Sequence, residues 1–226
     1  MATITTHKQL QAVRNLPFCY VCGFQLKAHD QTDYDHVPPK TCFDIADRDT
    51  PLKLRTHIKC NNGNKLEDEK VGELIAIHRN KSVDPKNTYL NVKAILDVEG
   101  EFRTLAFDNL NLNKTIQRWV SGFHAALYQQ PFNQSQNFYV YGPLPSARVT
   151  KNSITIEPIP SHFLKFIEVI KFNRAANNLD QISANKEKFR YECIWAPEDS
   201  GRVWLCIFAL NMYDWIKLGD SSNFDA

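Results

Sequence analysis

The stretch FCYVCG, residues 18 to 23, places two cysteines in a tight turn with two residues between them. The stretch HIKC, residues 57 to 60, repeats that spacing with a histidine and a cysteine. Two ligands at this spacing reach one ion from one turn, and two such turns complete a tetrahedral site of three sulfurs and one nitrogen. We therefore predict a structural zinc site made of Cys19, Cys22, His57 and Cys60. The alternative is a redox C-x-x-C pair beside an unrelated H-x-x-C.

The rest of the composition is that of an ordinary globular protein. The chain has 226 residues and a formal net charge of only +2, so a partner such as nucleic acid would have to meet locally concentrated positive charge. No apolar run approaches the roughly 20 residues of a membrane span, and the N-terminus lacks the apolar region of a signal peptide. These features predict a cytoplasmic protein without a membrane partner, in which the six cysteines bind metal or stay buried as thiols.

Between the two knuckles lies DYDHVPPK, residues 33 to 40. Neighbouring residues on a strand point to opposite faces, so Asp35 and His36 are placed for two adjacent roles and not for a mutual ion pair. Pro38 and Pro39 then stiffen the chain where it leaves the strand. Asp35 and His36 in this stretch are therefore the first candidates for catalytic residues.

A helix is predicted directly after the second knuckle, from CNNGNKLEDEKVGELIAIH, residues 60 to 78. Its apolar positions repeat at helical spacing, and Asn61 or Asn62 is expected to cap its start. The zinc site would hold this helix start against Asp35 and His36. The positive end of a helix favours an anion such as phosphate.

These residue types suit phosphodiester hydrolysis. His36 is the candidate general base that activates water. Asp35 and Asn61 could supply oxygen ligands to a catalytic Mg²⁺ or Mn²⁺, with Asn62 or Asn64 as alternatives to Asn61. Three basic side chains around the predicted site are possible phosphate ligands: Lys40, Arg55 and Lys65.

The order C-x-x-C, DHVPPK and HIKCNN resembles the HNH endonucleases of the ββα-metal fold, over residues 18 to 75. The resemblance implies His36 as general base, Asp35 and Asn61 as ligands of the catalytic cation, and the two knuckles as zinc ligands. The chain departs from the family in two places. His57 replaces the usual third cysteine, and no asparagine lies between residues 36 and 61 in the place of the family's middle Asn.

Residues 1 to 17 are interpreted as a leader, 18 to 80 as the zinc-containing nuclease module, and 81 to 226 as an accessory α+β domain. The boundary is expected in the turn-like segment at 82–87. The accessory part contains two predicted hairpins, NTYLNVKAIL with EFRTLAF and FRYECIWA with RVWLCIFAL, and an amphipathic helix in LNKTIQRWVSGFHAALY. The segment HFLKFIEVIKF fits a helix or a strand. The fold class is therefore predicted as α+β.

The sequence thus favours a metal-dependent endonuclease that acts on nucleic acid, on DNA in preference to RNA. A homodimer would serve double-strand cleavage, because one such site cuts one strand. The second hypothesis is a catalytically degenerate, zinc-stabilised module that binds nucleic acid or protein. It is favoured by the missing middle asparagine and the near-neutral charge, and opposed by the intact set of Asp35, His36 and Asn61.

Overall fold

A computed structural model describes residues 1–79, 81, 88–96, 102–107, 109–132, 146–149, 154–157, 161–197 and 203–213. Helices and both parallel and antiparallel strand pairs are present, so the predicted α+β class is confirmed. The predicted boundary at 82–87 lies outside the described residues. None of the helices in the described ranges is long and apolar enough to cross a membrane.

The chain divides into two compact units, and the first consists of Met1–Ala12 and Asn133–Ala226. Within this unit the strands are β1 (Thr3–Ile4), β6 (Ser146–Val149), β7 (Ile154–Glu157), β8 (Asp180–Ala184), β9 (Phe189–Pro197) and β10 (Val203–Met212), and the helices are α1 (His7–Ala12) and α5 (Ser161–Ala175). Its four-stranded sheet has the order β1-β8-β9-β10, in which only β1 and β8 run parallel.

Two sequence interpretations are decided in this unit. The β9–β10 hairpin is confirmed, with Cys206 opposite Trp195 in an antiparallel register. The ambiguous segment HFLKFIEVIKF is helical and belongs to α5. Its Ile170 is buried in a small core with Leu179 and Ala209.

The second unit, Val13–Phe132, contains the whole of residues 18 to 80 and continues beyond them. Its strands are β2 (Thr32–His36), β3 (Lys53–His57), β4 (Val92–Leu96) and β5 (Phe102–Phe107), and its helices are α2 (Ile58–Asn62), α3 (Lys65–His78) and α4 (Leu112–Tyr128). The β2–β3 and β4–β5 pairs are both antiparallel, which confirms the first predicted hairpin. Two short 3-10 helices, Lys40–Cys42 and Ile45–Asp47, follow β2.

The start of the helix after the second knuckle differs from the prediction. Asn61 and Asn62 lie inside the short helix α2, and Asn64 occupies the N-cap position of α3 without a capping side-chain hydrogen bond. The Asn64 amide instead donates to the Cys60 carbonyl at 2.7 Å. The expectation that Asn61 or Asn62 caps the long helix is therefore wrong, because the chain makes one helical turn before that helix begins.

Helix α4 is a buried element of the second unit and not a surface helix with one apolar stripe. The apolar stripe that helical spacing predicts consists of Ile116, Trp119, Val120, Phe123 and Leu127; the first four are buried and Leu127 is half-buried. Arg118 and His124, which lie off that stripe, are buried as well. A helix enclosed on most sides must satisfy its polar side chains within the protein.

Candidate metal centre and hairpin site

The two knuckles bring four ligand atoms together. The Sγ atoms of the three cysteines and one ring nitrogen of His57 all lie within 4.8 Å of one another. Ligands of a filled tetrahedral zinc site lie about 3.8 Å apart when the zinc–sulfur bonds are about 2.3 Å long. The longest of these separations would therefore have to close by about 1 Å at most, and the Cys22 Sγ to His57 Nδ1 distance is already 3.4 Å. Cys19, Cys22, His57 and Cys60 can hold a metal ion such as zinc, as the spacing predicted.

The local fold explains why these four residues meet. Cys19 N–H bonds to the Phe24 carbonyl and Gly23 N–H to the Cys19 carbonyl, which closes the first knuckle. Gly23 has φ of +77°, a conformation that glycine adopts without strain. His57 ends β3 and Cys60 lies one turn later in α2, so a strand-to-helix transition forms the second knuckle.

Two polar side chains orient the ligands from outside. The Nδ1 atom of His57 lies 3.4 Å from Cys22 Sγ, and its Nε2 atom lies 3.4 Å from the Asp30 carboxylate. A carboxylate behind a metal-binding histidine fixes the ring orientation and raises its basicity as a ligand. The Thr56 hydroxyl lies 2.7 Å from Cys19 Sγ. The spacing rule did not identify Asp30 or Thr56, because neither is a metal ligand.

The thiols differ in their readiness to ionise. Burial acts to raise the pKa of Cys19, but hydrogen bonds from Thr56 and from backbone amides outweigh it and lower that pKa to about 7. Burial, followed by the charges of Cys19 and Cys22, raises the pKa of Cys60 to about 12. Three thiolates at this distance repel one another, and a bound cation removes that repulsion.

The β2–β3 register separates Asp35 from His36 as expected. His36 is opposite Lys53 and Tyr34 is opposite Arg55, so these four side chains share one face of the hairpin. Asp35 is opposite Leu54 on the other face, where both residues are buried. The two neighbours therefore lie in different environments.

The face that carries His36 is strongly basic. Burial, and then the charges of Lys53, Lys40, Arg48 and Arg14, lower the pKa of His36 to about 4. The Arg14 guanidinium also lies 4.0 Å from the ring centroid of Tyr34. Among the described residues, no carboxylate forms a salt bridge with Lys40, Arg48, Lys53 or Arg55. We call this surface the His36 face: His36, Tyr34, Lys53 and Arg55 on the strands, with Arg14, Lys40 and Arg48 beside them.

The predicted phosphate ligands are distributed unevenly. Lys40 is one of the cations that act on His36, and Arg55 lies on the same hairpin face, where its Nε donates to the Thr32 hydroxyl at 3.0 Å. Lys65 is the exposed first residue of α3. Sequence analysis missed Arg14, Arg48 and Lys53; the opposite position of Lys53 follows only once the hairpin register is known.

Asp35 is enclosed on the opposite face. Its Oδ2 accepts hydrogen bonds from the Tyr20 hydroxyl and from Arg118 Nη1, the latter at 3.0 Å. Arg118 also binds the Asp68 carboxylate through Nη2. Burial raises the pKa of Asp35, against the opposing effect of Arg118 and Tyr20. Neither Tyr20 nor Arg118 was singled out from the sequence.

The structure does not bring Asn61 to these residues through a direct contact. Within the described ranges, no hydrogen bond joins Asn61 to Asp35 or His36, and the Asn61 carbonyl accepts from the backbone of Gly63 and Asn64. In the same ranges, no second set of three or more histidine, cysteine or acidic ligands converges. Asp35 is already bound to a cationic side chain and is only 5% exposed. In this arrangement, Asp35 and Asn61 do not fit a hydrated divalent cation.

Comparison with known proteins does not assign the chain to a family. No protein-family model, no curated protein and no solved structure matches the chain. Its function has to be argued from the metal centre and the His36 face.

Proposed function

We propose that the chain is an endonuclease that hydrolyses phosphodiester bonds in nucleic acid, with DNA as the first substrate to test. The observation that carries the proposal is His36, an imidazole surrounded by cationic side chains at the end of a hairpin whose other end forms the metal centre. The resemblance to HNH endonucleases over residues 18 to 75 supports the same reading.

His36 is the proposed general base. Its lowered pKa keeps the ring neutral at pH 7, so that a ring nitrogen can accept a proton from water. A pKa near 4 also makes a weak base, and general bases work best when their pKa lies near the working pH. A phosphate bound among the same cations would offset their charge and raise the pKa of His36 towards that range.

The basic side chains of the His36 face are the proposed phosphate ligands. Phosphate contacts supply most of the sequence-independent affinity for nucleic acid, and they come chiefly from Lys and Arg. Lys40, Arg48, Lys53 and Arg55 concentrate positive charge in this way although the whole chain carries only +2. They would hold a phosphodiester near the His36 ring and stabilise the charge that develops during hydrolysis.

Zinc is the proposed occupant of the Cys₃His set. Four protein ligands leave no open position for water or substrate, so its role is structural. It would fix the strand-to-helix transition after β3 and, through the hairpin, the position of His36.

The resemblance also implies Mg²⁺ or Mn²⁺ on Asp35 and Asn61. The described arrangement of these two residues does not fit such an ion, because Asp35 is buried and paired with Arg118. The catalytic cation stays a prediction, which cleavage assays with added Mg²⁺, with Mn²⁺ and with EDTA can test.

The test is a cleavage assay with zinc-loaded full-length protein on supercoiled plasmid, linear duplex, single-stranded DNA and structured RNA. His36→Ala is expected to lower the rate about 10²-fold or more, while it keeps its zinc. His7→Ala is the matched control, because His7 is an exposed histidine of the first unit. Equal cutting by the wild type and His36→Ala, after repurification, would reject the proposal.

A zinc-stabilised binding module is the second candidate, and the engagement of Asp35 by Arg118 favours it. Such a module has no need for a catalytic base. It is expected to bind nucleic acid with the same affinity before and after His36→Ala, and to leave every substrate of the panel intact with added Mg²⁺, with Mn²⁺ and with EDTA. The pair of measurements, binding and cleavage, separates the two functions.

A further inference from the structure

Four polar side chains meet inside the second unit, and we call them the Arg118 cluster: Tyr20, Asp35, Asp68 and Arg118. They come from the first knuckle, β2, α3 and α4. Arg118 is 6% exposed, and the two acids are 5% and 8% exposed. The cluster is therefore closed to bulk water and to a hydrated ion.

One guanidinium holds the cluster together. Its Nη1 donates to Asp35 Oδ2 at 3.0 Å and lies 3.5 Å from the Tyr20 hydroxyl oxygen, and its Nη2 donates to Asp68. Arg presents several donors in a fixed planar arrangement, so one side chain can bind two carboxylates from different elements. Tyr20 donates to the same oxygen of Asp35, which ties the strand to the knuckle between Cys19 and Cys22.

The charges of the Arg118 cluster decide whether it can also bind a divalent cation. A buried carboxylate needs a counter-charge, and Arg118 supplies one to Asp35 while it also binds Asp68. Burial raises the pKa of Asp68 to about 7, so a proton can balance the second carboxylate. A divalent cation on Asp35 would have to displace Arg118 and leave the guanidinium buried with less compensation. The packing of α4 beside the cluster is close, since a Cβ on Gly122 would lie 2.9 Å from Val37 and 3.2 Å from the Tyr20 ring.

We propose that Arg118 is the built-in counter-cation of Asp35 and that Asp35 is a structural anchor, not a ligand of a catalytic metal. Through Asp35, Arg118 is a positioning residue that fixes the end of β2 and hence the direction in which His36 projects. The positioning role rests on the proposed nuclease function; the assignment of Asp35 does not.

The first experiment measures Mn²⁺ binding to zinc-loaded full-length protein by electron paramagnetic resonance, for the wild type and Asp35→Asn. Asp35→Asn is expected to leave the Mn²⁺ stoichiometry and affinity unchanged. A wild-type site that binds one Mn²⁺ and is lost in Asp35→Asn would overturn the assignment. Neither result depends on cleavage, so the assignment can survive the failure of the proposed function.

The second experiment compares Arg118→Met with Arg118→Lys and with the double variant Asp35→Asn/Arg118→Met. Loss of one partner of a buried pair leaves an uncompensated charge, so Arg118→Met is expected to lower Tm by about 10 °C. The double variant should have a higher Tm than Arg118→Met, because it also removes the Asp35 carboxylate that Arg118→Met leaves buried without its counter-charge. No recovery would contradict the pairing.

Arg79→Met is the matched control, because Arg79 forms its 2.9 Å ion pair with Asp44 near the surface. Its Tm is expected to change by a few degrees at most.

The positioning role has its own readout. At a temperature where all variants are folded, Arg118→Met is expected to lower kcat, because His36 loses its support, with little change in KM, because the basic side chains proposed to bind phosphate are retained. Arg118→Lys, which keeps the charge, should restore part of kcat. A change in KM alone, or no difference between the two variants, would reject the positioning role.

Discussion

The environment of His36 is set by residues that lie between four and 22 positions from it in sequence. Burial and four cations, from the segment before the first knuckle, the loops after β2 and the opposite strand, all disfavour the charged ring. A sequence reading identifies the imidazole but not this sum of effects. The working pH of the proposed base therefore depends on those neighbours.

The pH profile of cleavage tests this dependence. A base with a pKa near 4 in the free enzyme stays neutral, and competent, down to about that pH. We expect the acid limb of kcat/KM to fall near pH 4, since kcat/KM reports the free enzyme. Lys53→Met removes one cation and should move that limb to higher pH, whereas Lys8→Met should not. A wild-type limb near the ordinary histidine value of about 6.5 would contradict this account.

His124 tests a different consequence of burial. It is 6% exposed on α4, with ring centroids of Tyr128 and Phe132 at 4.8 and 5.5 Å. Burial lowers its pKa to about 4, below the unfolded value of about 6.5. The contribution of the neutral ring to stability is thus complete above pH 6.5 and is lost progressively as the pH falls from 6.5 to 4.

We therefore expect the free energy of unfolding of the wild type to fall relative to His124→Phe by roughly 2 kcal/mol between pH 8 and pH 5. Urea unfolding at the two pH values measures it. The same difference between the proteins at both pH values would show that His124 is not the titrating group.

At this scale the sequence predicted the metal ligands but not their partners. Spacing alone identified the four ligands, since two ligands on each tight turn are a local geometric requirement. Arg118 and Asp35 are 83 positions apart, and no local rule connects them. Their pairing depends on how α4 packs.

Among the elements, α4 shows how close packing fixes a site. Gly122 faces Val37 and Tyr20 at distances that leave no space for a methyl group. Val37 directly follows His36, and Tyr20 lies between Cys19 and Cys22, two of the four candidate metal ligands. The helix therefore touches both the end of β2 and the first knuckle through one glycine.

Gly122→Ala is expected to destabilise the protein by about 1–3 kcal/mol, because the added methyl group forces the neighbours apart despite the better helix propensity of alanine. Asn113→Ala, at an exposed position of the same helix, should be neutral or slightly stabilising. The free energies of unfolding of both variants, measured by chemical unfolding, test this prediction. Equal stabilisation by the two alanines would mean that the contact is not tight.

The elements were predicted with uneven success for physical reasons. The two hairpins and α4 were predicted correctly, because alternation and helical periodicity are properties of short segments. α5 stayed ambiguous because apolar residues occur on several of its faces. The start of α3 was misplaced because a separate turn of helix, α2, interrupts the continuous pattern.

For the whole molecule, the metal centre is expected to contribute much of the stability of the second unit. Structural zinc supplies folding free energy directly, on the order of 10 kcal/mol in small domains. Removal of zinc with a chelator, or Cys60→Ser, should therefore lower the apparent Tm by more than about 10 °C. Zinc content and thermal unfolding, measured on the same samples, test this.

Cys42→Ala is the control for that experiment, because Cys42 is a buried cysteine outside the four-ligand set. It is expected to keep one zinc per chain even if it loses some stability. A Cys60→Ser variant that retains full zinc content would contradict the assigned ligands.

The hairpin register has a practical consequence as well. His57 pairs with Thr32 at one end of β2, and His36 lies four residues further along the same strand, roughly 13 Å away at about 3.3 Å per residue. Paramagnetic cobalt in the cysteine–histidine set would therefore be an atom of known position at about that distance from the proposed general base. Its effect on the phosphorus resonances of a bound oligonucleotide would give the distance of each phosphate from a fixed origin. The metal centre would then be the reference point from which the path of the bound nucleic acid along the hairpin is measured.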